Sequence, residues 1–111
     1  MRAFAVIFGP GPGWDPARPR REQREWDAHA AFMDGLVGEG FVLLGGPVGD
    51  GGRVLLAVEA VDEDAVRARL AADPWEPLGI LGIERLEPWS LWLDARRSPQ
   101  RPWPARTRPV S

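Results

Sequence analysis

The chain has 111 residues, 44% of them hydrophobic and 27% charged, with a formal net charge of −2. That is one domain of ordinary globular composition, with no apolar run near the roughly 18 residues a membrane helix needs. Cysteine, lysine and tyrosine are absent, which excludes a disulfide framework, thiolate metal sites, cysteine nucleophiles and lysine Schiff-base chemistry. The charge is uneven: residues 1–94 hold nine Arg against sixteen acids, a balance of −7, and residues 95–111 hold five Arg and no acid. An acidic domain disfavours nucleic acid as its partner.

Residues 2–8 are apolar nearly throughout and read as a buried strand. No small-residue cleavage site follows them, so the expectation is a cytoplasmic protein without a signal peptide. Residues 9–20 open with Gly9-Pro10-Gly11-Pro12-Gly13 and continue through Pro16 and Pro19. That composition is incompatible with regular structure and predicts a long surface loop, the kind that serves as a lid or interface. It is not a phosphate loop, because the Lys-Ser/Thr pair is missing and the prolines remove backbone donors.

Residues 21–39 predict a helix with Trp26, His29, Ala30, Met33, Leu36 and Val37 on one stripe and Gln23, Arg24, Asp27, Ala31 and Asp34 largely opposite. Gly38 and Gly40 end it. Residues 41–48 and 53–60 predict two strands joined by a Gly49–Gly52 turn, hence an antiparallel hairpin. Residues 62–73 predict a second helix with Asp62 as N-cap and Val66, Leu70 and Asp73 on one face; Pro74 stops it. Residues 81–87 predict a fourth strand, with 88–93 an extended continuation. The order β-α-β-β-α-β predicts a ferredoxin-like α+β fold: a four-stranded antiparallel sheet with both helices on one face. The other face needs cover, and pairing two copies supplies it. Domain 1–94 is then followed by an Arg/Pro-rich extended or disordered tail, 95–111.

His29 is the sole histidine. On an apolar stripe it reads as a core histidine or as a general acid/base. Asp73, at the negative end of the predicted second helix, is disfavoured there by about 0.3–1 kcal/mol. It reads as a turn device before Pro74 or as a carboxylate aimed at His29. Gly45-Gly46-Pro47 reads as a strand bend or as backbone approaching a small ligand. Trp14, Trp26, Trp75, Trp89 and Trp92 read as core or as an aromatic pocket. Glu22 and Glu25, one and two turns before His29, are weak metal-ligand candidates.

The ordered set Trp26–Met33, Gly40–Pro47, Asp73-Pro74-Trp75 and Glu87-Pro88-Trp89 resembles the YciI-like (YCII-related) family over about residues 1–93. The resemblance implies a dimeric α/β barrel, a homodimer of ferredoxin-like chains, with a site centred on a His and an Asp. These positions correspond to His29 and Asp73, the candidate catalytic pair. Gly46, Pro47, Trp75 and Trp14 are the candidate substrate contacts. No metal or cofactor is implied. The leading expectation is a cofactor-independent lyase, isomerase or hydrolase acting on a small, ring-shaped molecule. The alternatives are a non-catalytic binding or dimerisation module with a structural His/Asp pair, and a nucleic-acid accessory protein acting through the tail.

Overall fold

The structure is a computed structural model describing residues 1–50 and 52–96. Strand β1 (Arg2–Pro10) leads through a long loop to helix α1 (Trp26–Gly38), followed by β2 (Val42–Val48), β3 (Arg53–Ala60), α2 (Glu63–Leu70) and β4 (Leu81–Pro88). The sheet order is β2-β3-β1-β4, every pairing antiparallel. This is the expected ferredoxin-like α+β arrangement. Most of the expected tail, from residue 97 onward, lies outside the described residues.

Alternation along the strands divides the sheet into two faces. Phe4 and Val6 of β1, with Leu56, Val58 and Ala60 of β3, join Leu36, Val66 and Leu70 of the helices in one core. Their neighbours Ala3, Ala5, Ile7, Leu55 and Ala57 alternate to the opposite face, where Leu44 pairs with Ala57 at the sheet's edge. Leu44 is 60% exposed. No helix among the described residues is long and apolar enough to cross a membrane.

Three element boundaries differ from expectation. β1 runs through Gly9 to Pro10, because β4 pairs with it as far as Pro10↔Leu81. Residues 20–22 form a separate 3-10 turn and α1 begins at Trp26, after Glu25 in a left-handed conformation at φ 57°. α2 stops at Leu70, leaving Asp73 in the following turns. Other signals act as read. Asp62 caps α2 by accepting from the Ala65 N–H at 2.8 Å. Gly40, at φ +80°, turns the chain after α1, with the Phe41 N–H returning to the Leu36 carbonyl at 3.0 Å.

The Gly/Pro loop is an anchored segment. The Gly11 N–H bonds the Ile80 carbonyl at 2.9 Å and the Gly13 N–H bonds that of Gly79 at 2.8 Å. A Cβ on Gly11 would stand 2.1 Å from the Gly79 oxygen, and one on Gly13 would stand 1.9 Å from the Leu78 oxygen. Only glycine permits that approach. Gln23, expected on the wet side of a helix, is instead buried at 4% exposure. Its amide donates to the carbonyls of Asp15 and Arg18 at 2.8 and 2.9 Å and accepts from the Asp15 N–H at 2.9 Å.

Candidate functional site

α1 starts beside the residue 71–80 turns, and its first face carries Trp26 and His29 toward them. The His29 Nδ1 lies 2.9 and 2.8 Å from the two oxygens of Asp73. Asp73 Oδ1 also accepts the Trp75 N–H at 2.8 Å. Both readings of Asp73 therefore hold in one side chain: the carboxylate closes its own turn and holds the histidine. Leaving α2 three residues earlier frees it from the helix's negative end.

The indole of Trp75 forms the floor under the imidazole. The two rings stack at 3.8 Å with 5° between their planes. Trp26 leans against both, 5.6 Å from His29 and 5.7 Å from Trp75. Trp75 Nε1 donates to the Arg24 carbonyl at 2.6 Å, fixing the indole against the residues just before α1. The imidazole is thus held at its edge by a carboxylate and on its face by a ring.

A carboxylate accepts only, so the bond to Asp73 places the ring proton on Nδ1 and leaves Nε2 as the basic nitrogen. Nε2 has no hydrogen-bond partner among the described residues. Among the described residues, the one sealed side-chain nitrogen or oxygen without a partner is Arg20 Nη1. Nε2 is therefore not enclosed in dry packing. His29 lines a cavity of about 300 Å³ between α1, the β2–β3 hairpin and the end of the Gly/Pro loop. This is the small end of the range for ligand pockets. Its walls are mainly apolar: Phe8, Trp26, Met33, Val54, Leu56 and Leu81. Polar groups enter through Arg20, His29, Asp34 and Asp73.

The other expected site residues divide. Gly46 and Pro47 line the cavity on β2, an edge strand, where proline is tolerated. Their neighbour Gly45 faces the Leu56 side chain so closely that a Cβ would stand 2.4 Å from Cδ2. Trp75 and Trp14, expected as substrate contacts, are absent from the lining. Trp75 is sealed at 1% exposure behind the histidine. Trp14 instead lies under the Arg20 guanidinium, 5.3 Å from ring centroid to carbon. An aromatic pocket of five tryptophans is not built: Trp26 alone lines the cavity, and Trp89 and Trp92 belong to the strap after β4. Glu22 and Glu25 precede α1 rather than sharing it with His29, and no cluster of three metal-ligating side chains occurs among the described residues.

Sequence reasoning missed Arg20, Gln23 and Val37. Nothing in the sequence sets Arg20 apart from Arg18, Arg21 and Arg24, but it reaches the cavity and donates through Nη2 to the Gly52 carbonyl at 3.2 Å. Burial lowers its pKa from the ordinary guanidinium value. Val37, expected in the core stripe, is 54% exposed at the cavity rim.

No protein-family model and no curated protein matches the chain. Among solved structures it is similar to 5-chloro-2-hydroxyhydroquinone dehydrochlorinase (TftG) from Burkholderia phenoliruptrix AC1100, in complex with 2,5-dihydroxybenzoquinone. The TM-score is 0.53 at 24% identity, over 78% of this chain and 93% of that one. That likeness establishes the fold.

Proposed function

We propose that this chain is a small cytoplasmic enzyme that moves a proton on a small cyclic organic molecule, with His29 as the general base and then acid. One observation carries the reading: a histidine held at Nδ1 by Asp73, its Nε2 without a partner among the described residues, lines a mainly apolar cavity. Nε2 takes a proton from a hydroxyl or carbon of the substrate. Asp73 balances the imidazolium that forms, and Trp75 keeps the ring in place. The electron pair left behind expels a leaving group or shifts a double bond. The proton returns to the departing group or to a second atom. Elimination and isomerisation both follow this course, and hydrolysis follows it when water supplies the proton. Likeness to an enzyme named for removing chloride from a hydroxylated ring supports elimination as the first class to assay.

The opposite sheet face, with Leu44, Leu55 and Ile7, fits pairing with a second copy in the dimeric α/β-barrel manner of the YciI-like family, which the sequence motifs resemble. A non-catalytic module remains the competing reading, because the same pair also ties α1 to the 71–80 turns. The test is a turnover screen of halogenated hydroxyhydroquinones and related lactones, followed by chloride release and ultraviolet absorbance. His29→Asn preserves a donor toward Asp73 but has no basic nitrogen. Its turnover on a verified substrate should fall by about 10²–10⁴-fold, with the fold intact. Unchanged turnover in that variant, or none in the wild type across the screen, rejects the enzyme reading.

A further inference from the structure

We infer that the cavity accepts an organic anion, and that Arg20, at its wall, is the residue that selects the negative charge. The inference rests on the cavity being the substrate site. It names the substrate class: a ring bearing a carboxylate or an ionised hydroxyl.

A guanidinium carries five N–H donors. The Arg20 side chain makes one hydrogen bond among the described residues, to a neutral carbonyl, and no ion pair. Nη1 is enclosed and has no partner among the described residues. An enclosed, unpaired cationic donor is costly, and a bound ligand, ion or water that completes it removes the cost. The surrounding structure holds this arrangement in place. Gly11 and Gly13 anchor the loop to the 78–80 segment, Gln23 clips its far end, and Trp14 underlies the guanidinium. Arg20 lines the cavity, so an acceptor bound there lies within reach of its side chain.

The other charges in the lining leave this role to Arg20. Asp73 is occupied by His29 and the Trp75 N–H. Asp34 is exposed on α1, where water screens it. The apolar walls take the ring, and Arg20 takes its charged oxygen. An anionic group fixed there also orients the ring in the cavity, and the Arg20 cation offsets part of the negative charge that builds as the proton leaves.

The experiment is calorimetric titration of the full chain with benzoate and with benzamide, which share a ring and differ in charge. The wild type should bind benzoate at least tenfold more tightly, with the preference shrinking as salt rises. Arg20→Met should reduce the preference to within twofold, and Arg20→Lys should retain part of it. Equal affinities, no detectable binding of either probe, or a preference that survives Arg20→Met overturns the inference. If Arg20→Met fails to fold, a full preference in Arg20→Lys at high salt does the same. Anion preference without turnover of any substrate removes the enzyme reading alone. Turnover that survives in a chain without anion preference removes this one alone.

Discussion

At the scale of single residues, the site turns on how Asp73 shares its two oxygens. Oδ1 serves the Trp75 N–H and the imidazole together, while Oδ2 faces the imidazole. Asp73→Asn can still accept from Trp75, but it removes the charge that balances an imidazolium. Its melting temperature should stay within a few degrees of the wild type, while turnover falls about 10²-fold. Asp73→Ala loses the turn bond as well and should cost about 1–3 kcal/mol of stability. Paired melting and rate measurements check this, and a fully active Asn variant would show that the carboxylate serves the fold alone. The chance of a His29–Asp73 pairing was legible in the sequence: a lone histidine on an apolar stripe and an acid beside a helix end are both conspicuous. The role of Trp75 was not. Nothing in a one-dimensional pattern tells an indole that touches a ligand from one that supports the residue doing so.

At the scale of elements, the segment between β1 and α1 shows most clearly where periodicity misleads. Residues 21–25 continue the helical pattern of α1, yet the chain makes a 3-10 turn and a left-handed step at Glu25 before the helix starts. Gln23 is what competes. Three side-chain hydrogen bonds to loop backbone win over about one and a half further turns of helix. Gln23→Leu strands those backbone groups and should destabilise the protein by about 2 kcal/mol, or roughly 4–8 °C in Tm per kcal/mol. It should also loosen Arg20 and weaken benzoate binding. Thermal melting with and without benzoate reads both effects. An unchanged Tm would mean the loop is held by Gly11 and Gly13 alone.

At the scale of the molecule, one sheet face packs against the helices, and the other, half-buried along β1 and β3, leaves Leu44 exposed at its edge. Leu44 is largely exposed in the single chain, so Leu44→Asp should leave its melting behaviour almost unaltered. In a paired assembly the same change places a charge within an apolar seam. Sedimentation should therefore give a mass of two chains for the wild type and one for the variant. A wild type that sediments as one chain sinks the proposed dimer. The order of six elements fixed the topology in advance, because strand and helix periods are local properties and antiparallel connections leave few alternatives. Which of two apolar stripes met core and which met cavity was decided only by packing. Met33 and Leu36 reach the core, while Val37, one residue further, stands at a rim.

The sequence by itself therefore determined the architecture and the pair of residues worth watching, since hydrophobic period, capping residues and a single histidine are all written along the chain. Only the tertiary structure decided that Nε2 is left without a partner among the described residues, that Trp75 is sealed against the imidazole, and that Arg20 lines the same cavity as His29. Each of those depends on segments distant in sequence meeting at fixed angles: Gly52 with Arg20, Arg24 with Trp75, β2 with α1. A loop's anchorage depends on the surface it closes over, and that surface exists only once the sheet has formed.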